Sequence, residues 1–151
     1  AIQQGEVAAA NAASLLGVRS GPLKSMDYRL KLFAVFSEPQ LACVGASEAE
    51  LHASGTAYFT ANYPFNDHGK SLVMGETAGF VKITASKETG EILGAAVVGP
   101  DAAELIHEVT VAMHYRATVQ DFATIPHYHP TLSEIWTYPA EEIASQITLG
   151  S

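Results

Sequence analysis

The chain has 151 residues, 48% of them apolar and 16% charged, which is one domain's length with enough apolar side chain for a single core. A formal net charge of −8 with 8 Lys and Arg argues against a nucleic-acid surface, and no run is long and apolar enough to span a bilayer. The N-terminus lacks the basic start and apolar run of a secretory leader, so a cytoplasmic setting is expected.

The first stretch, "AIQQGEVAAANAASLLG", is alanine-rich and closed by Gly17, which predicts a helix with only a thin apolar stripe. "VRSGPLKSMDY" reads as a linker. "KLFAVFS" predicts a strand ended by Pro39. Cys43 follows in "PQLACVGAS", with no partner for a disulfide and no CxxC for redox work or zinc, and its apolar neighbours predict a buried, inert thiol. "ASEAELHASG" reads as a short helix with Ser47 as N-cap, Glu50 closing a capping box and Gly55 as the stop. "TAYFTANY" is the next strand, and "PFNDHGKSLVMGET" a polar, glycine-bearing connection. "GFVKITAS", "KETG" and "EILGAAVVG" form a β-hairpin whose turn needs the positive φ of glycine.

"PDAAELIHEVTVAMHYRA" is the clearest helix. Asp101 is placed to cap it with Glu104 reaching back, and Leu105, Ile106, Val109, Ala112 and Met113 make one core face. "TVQDFATIP" is a shorter helical turn ended by Pro126, and a final helix begins near Thr131. Helix, strand, helix, three strands and then helices imply the α+β class, an antiparallel sheet covered by helices.

Chemistry concentrates in "IPHYHPTLSEIW". Pro126 and Pro130 bracket His127 and His129, and an X-Pro bond is where a cis peptide is cheap, so a cis bond is expected at His129–Pro130. Thr131 to Glu134 has the form of a capping box. Glu134 can therefore be a helix cap with His129 filling a turn, or an orienting partner for His129 as a general acid–base. On spacing alone the capping role has the stronger claim. His127 and His129 also alternate, so an extended segment would point both one way, and His107 or His114 would complete a three-histidine metal site. No second ligand pair has metal-binding spacing, and no metal is expected.

"HYHPTLSE" resembles the C-terminal His-x-His-Pro-Thr-x-x-Glu motif of the flavin-dependent pyridine nucleotide–disulfide oxidoreductases, and within them the dihydrolipoamide dehydrogenase-like enzymes. "FSEPQLACVGASEAEL" and "GFVKITASKETGEILGAAVVGPDAAELIHEVTVAM" resemble two further segments of that family, and the first twenty residues resemble the last helix of its flavin domain. The resemblance implies residues 1–25 as a helical remnant and linker of the flavin domain, and 26–151 as the interface domain. It implies a homodimer in which His129, held by Glu134, serves the disulfide and flavin of the partner subunit, with the His129–Pro130 segment facing that FAD. FAD and NAD(P) belong to the full-length enzyme. None is expected on this chain, because the family's GxGxxG and CxxxxC motifs are missing, and the fragment is expected to be inactive alone. A stand-alone dimerising module is the alternative.

His127 and Tyr128 are expected to shape the pocket rather than react. Pro139 departs from the family's uninterrupted final helix and predicts a break near Thr137 or Tyr138, with Pro139 opening the second segment. Trp136 and Tyr138 fit either packing within the subunit or contact across the dimer.

Overall fold

An alanine-rich segment with little apolar stripe forms α1 (Ile2–Leu15), and the helix buries none of its residues. Both amide atoms of Asn11 bond the backbone of Lys24, at 2.9 and 2.8 Å, so the helix folds back on its own linker and not on the sheet. This computed structural model describes residues 2–149.

After the linker, β1 (Leu32–Val35) pairs with β2 (Gln40–Gly45) across a tight connection containing a cis Glu38–Pro39 peptide. Sequence reading passed over β2. Gln and Ala are poor strand formers, and "QLACVG" is held extended because it pairs on both sides. The helix α2 (Glu48–Ala53) follows, with its capping box complete. Ser47 accepts from the Glu50 amide and Glu50 answers to the Ser47 amide. β3 (Tyr58–Pro64) leads into a connection that is more structured than expected: a 3-10 turn (Phe65–Asp67) and a one-and-a-half-turn helix, α3 (Gly69–Met74).

The hairpin is as expected: β4 (Phe80–Ser86) and β5 (Ile92–Gly99) pair antiparallel, with Gly90 at φ +74 in the turn. Among the described residues the strands form one antiparallel sheet in the order β1-β2-β5-β4-β3.

α4 (Ala102–His114) buries Leu105, Ile106, Val109, Ala112 and Met113, the face read from its spacing. The cap does not follow the expectation. Asp101 sits at φ 50, ψ 30 and its carboxylate bonds no helix amide. A side-chain cap needs extended backbone, as at Ser47 (φ −77, ψ 157). At Asp101 the backbone carbonyl accepts from Glu104 and Leu105 instead. α5 (Val119–Ala123) carries an unforeseen capping box of Thr118 and Asp121. A 3-10 turn (Ser133–Trp136) runs into α6 (Thr137–Leu149), so the helix changes type where Pro139 predicted a break. Pro139 lies in the first turn of α6, where amides have no intrahelical acceptor and a missing N–H costs nothing.

α4 packs on β5 and β2, and α6 on β3 and β4. Both helices cover the face that carries Ala42, Val44, Val81, Ile83, Ala85 and Val97, all at most 2% exposed. This one-sided cover makes the core. On the other face Phe33, Cys43, Lys82 and Thr84 line a cavity of about 590 Å³ beside α2. Cys43 is only half-buried there, which corrects the expectation of a sealed thiol: in β2 it alternates with the inward Ala42 and Val44. Among the described residues no helix is long and apolar enough to cross a membrane.

Candidate functional site

The histidine-bearing loop is held from both ends. On one side, α5 is anchored by the fully buried Phe122. On the other, the 3-10 turn places Ile135 and Trp136 in the core at 0% exposure, and the Trp136 indole N–H donates to the Leu105 carbonyl of α4 at 3.1 Å. This packing fixes the direction of the residue just before it, Glu134. It also settles Trp136 as packing within the chain. Tyr138 stacks on Tyr63 of β3 with ring centroids 4.0 Å apart and stays at the surface.

Glu134 is 8% exposed and its carboxylate collects several groups. Oε2 accepts from His129 Nδ1 at 2.9 Å, and Oε1 accepts from the Thr131 amide at 3.2 Å. The Thr131 amide bond is the returning half of the capping box read from the sequence. The forward half is missing: the Thr131 hydroxyl donates to the Tyr128 carbonyl at 2.7 Å. With one oxygen on each partner, Glu134 bonds the Thr131 amide and the His129 ring together, although the 3-10 turn itself starts after Leu132 with no side-chain cap.

The His129 side chain is 77% exposed, and the His129–Pro130 peptide is cis. Its Nδ1 faces the buried carboxylate. That fixes the neutral tautomer with the proton on Nδ1 and leaves Nε2 as the basic atom. Among the described residues nothing bonds Nε2. The pair can therefore take a proton from a group outside the chain and return it, while the inner carboxylate stabilises the charged ring.

His127 does not join His129. Its side chain is 8% exposed, with Nε2 2.5 Å from Glu108 Oε1 of α4 and Nδ1 2.8 Å from the Ile125 carbonyl. Its partners make it a tether between the loop and α4, while Tyr128 stands 87% exposed beside it. His107 and His114 lie exposed on α4. Among the described residues no three His, Cys, Asp or Glu side chains converge as metal ligands.

The sequence reading missed one member of the site. His68, at the junction of the 3-10 turn and α3, is 0% exposed. Its Nε2 lies 3.4 Å from Glu134 Oε1, too poorly aligned for a hydrogen bond, and its Nδ1 is 2.9 Å from the Ser71 hydroxyl. The His-x-x-Ser spacing is a visible hint of the Ser71 contact. Nothing local points to Glu134.

Burial pushes the His68 ring below the ordinary imidazole range, against the opposing pull of the Glu134 carboxylate. The folded chain then holds fewer protons at this site than the unfolded chain. Stability from His68 is complete above the unfolded value of about 6.5 and is lost as the pH falls below it through the lowered folded value. Urea unfolding at about pH 7.5 and about pH 5.5 should show the lower midpoint at the lower pH, with the difference reduced in His68→Gln. Equal pH dependence in the variant would remove His68 as its source.

A profile of the family described as "Pyridine nucleotide-disulphide oxidoreductase, dimerisation domain" matches residues 33–140. The chain is 39% identical over 141 residues to the dihydrolipoyl dehydrogenase of Halobacterium salinarum, an alignment covering 93% of this chain and 28% of that one. It superposes on LpdA from Mycobacterium tuberculosis with a TM-score of 0.74 at 30% identity, covering 87% of this chain and 28% of that chain. The HOCl-induced flavoprotein disulfide reductase RclA from Escherichia coli has the same fold, with a TM-score of 0.73 at 24% identity over 87% of this chain and 30% of that one. The chain spans less than a third of the length of each of these relatives.

Proposed function

The chain belongs to the pyridine nucleotide–disulphide oxidoreductases as their dimerisation domain, similar to that of the dihydrolipoyl dehydrogenases, and on that premise we propose that it lends the His129–Glu134 pair to the flavin and disulfide site of a second copy of its parent subunit. In this reading residues 1–25 are the tail of the preceding flavin domain and 26–151 the interface domain of a cytoplasmic homodimer. The open apolar side chains of α1 and its linker, Ile2, Leu15, Leu16 and Val18, each at least 75% exposed, support that division. They belong against a domain that precedes them.

One observation carries the reading. A carboxylate 8% exposed is hydrogen-bonded to an imidazole whose side chain is 77% exposed. A structural histidine of this kind is ordinarily buried with its partner. Here the acid is inside and the base faces out, which suits a proton carrier acting on a group the domain does not contain.

The residues present fit a flavin approached from outside. Pro130 and the His129 ring are both on the surface, and the basic Nε2 is unused. In the parent enzyme FAD carries electrons between the disulfide and NAD(P). The domain's own contribution is proton handling. Neutral His129 takes the proton of a substrate thiol on Nε2, so the S–H bond breaks and a thiolate remains to attack the disulfide. Glu134 holds Nδ1–H throughout and stabilises the imidazolium until Nε2 returns its proton.

Hybrid dimers of the parent enzyme test the transfer across subunits. One subunit carries His129→Gln and the other lacks the redox cysteines. Each homodimer is expected to be inactive. The hybrid should recover about half of the parent activity, because one of its two sites has intact cysteines and an intact partner histidine. Inactive hybrids would mean that His129 serves its own subunit.

A further inference from the structure

Glu134 has an imidazole on each side, and only one of them faces outward. We propose that His68 is a positioning residue for the acid–base pair: a buried, neutral ring whose Nε2–H dipole faces Glu134 Oε1 without forming a full hydrogen bond, keeps the carboxylate turned toward His129, and thereby sets how strongly His129 holds its proton. This rests on the reading of His129 and Glu134 as the working pair and extends it to a group that no surface of the domain exposes.

The tautomer of His68 follows from its two neighbours. With the proton on Nδ1, the ring would donate to Ser71 and turn the Nε2 lone pair toward Glu134 Oε1, 3.4 Å away. Lone pair would face anion in a site without water contact, since His68 is 0% exposed. With the proton on Nε2, the Ser71 hydroxyl donates to Nδ1 and the ring N–H faces the carboxylate. Both atoms of the ring then meet a group of opposite polarity. Ser71 is itself 0% exposed, so its hydroxyl has His68 in place of water.

The other groups around the ring leave Glu134 as its counter-charge. Phe65 and Tyr138 contact it edge-on, with centroids 6.5 and 6.3 Å away. Tyr63, stacked on Tyr138, has its phenol pushed up to about 12 by burial and by Asp67, so it stays neutral. Asp67 is engaged by the Tyr63 hydroxyl at 2.9 Å. His129, across the carboxylate, is the remaining titratable group. A proton on His129 disfavours one on His68, and the coupling is mutual.

The physical consequence is that three groups share one carboxylate: the Thr131 amide and the His68 ring on Oε1, and His129 on Oε2. An N–H from His68 offsets part of the charge on Oε1, so Oε2 pulls less on the His129 proton. Without that donor His129 becomes more basic and returns its proton less readily.

The chain of 151 residues suffices for the test, because the readout is nuclear magnetic resonance of the histidine rings and not turnover. In the unmodified chain the ¹⁵N shifts of His68 should report a neutral ring protonated on Nε2 across about pH 6–8. In His68→Phe the His129 titration should move up by about half a pH unit, roughly a threefold gain in proton affinity. His68→Gln, which restores an N–H near the Nε2 position, should return it to the original value. A His68 ring protonated on Nδ1, or a His129 titration that is unmoved or lowered in His68→Phe, overturns the proposal. If His68→Phe does not fold, the tautomer of the unmodified chain and the same titration in His68→Leu decide. The hybrid-dimer experiment separates the two readings: inactive hybrids remove the role of His129 in the partner's site and leave this coupling standing, whereas an unmoved titration removes only His68.

Discussion

Full-length enzyme carrying His129→Gln should turn over about 10²- to 10⁴-fold more slowly than its parent, the loss usual for a general acid–base. Its unfolding free energy should stay within about 0.5 kcal/mol of the parent. The contrast between the two measurements is the point. The ring is 77% exposed and its one bond to the chain goes to Glu134 Oε2, so little folding energy depends on it. Gln keeps an amide of similar reach but has no basic atom at neutral pH. Turnover within threefold of the parent would show that proton transfer at this position is not needed. A parallel loss of stability would mean that His129 is a structural residue after all.

Trp136→Ala should destabilise the chain by about 3–5 kcal/mol, the usual cost of a cavity left by a large buried aromatic ring. That is a large share of the roughly 5–15 kcal/mol that holds a domain of this size together. The indole is 0% exposed between α4 and the sheet, and its N–H satisfies the Leu105 carbonyl. Trp136→Phe, which keeps most of the volume and loses the donor, should cost less, about 1–3 kcal/mol. Urea denaturation of the three chains checks the order. Because Glu134 is in the same 3-10 turn, the Ala variant should also broaden the His129 signal through loss of a fixed carboxylate. A Trp136→Ala chain as stable as the parent would falsify the claim that the site is oriented from the core.

The two outcomes separate what the motif does from what supports it. His129 and Glu134 are five residues apart in the chain, and their contact needs only a turn. Glu134 points correctly because Ile135 and Trp136, both at 0% exposure, fasten the turn from below. His127 fastens the loop from the side through Glu108. An exposed ring is thus held on a base of buried side chains drawn from α4, the sheet and the 3-10 turn.

Much of this is legible in the sequence. The glycine of "KETG" specified the hairpin between "GFVKITAS" and "EILGAAVVG", because the positive φ of a tight turn is a local property of the chain. The three- and four-residue spacing of Leu105, Ile106, Val109 and Met113 specified the buried face of α4, because the helical period is local as well. Ser47 and Glu50 form their box within four consecutive residues, and "HYHPTLSE" brings acid and base within one turn. Where the local reading failed, the deciding force came from elsewhere. β2 is a strand because β1 and β5 pair with both its edges, not because "QLACVG" prefers to be extended. Asp101 is no side-chain cap because the turn out of β5 forces it to φ 50. α3, at six residues, is too short for any period to register.

The sequence by itself determined the α+β architecture and the core face of α4, and it put His129 and Glu134 within reach of one turn, since each depends on residues close together along the chain. Only the tertiary structure decided that His68 stands behind Glu134 and that Glu108 holds His127. Those contacts join segments far apart in sequence. His68 meets Glu134 where α6 and the 3-10 turn pack across β3 and β4, His127 meets Glu108 where the loop before that turn lies against α4, and no spacing rule records which distant side chains such packing brings together.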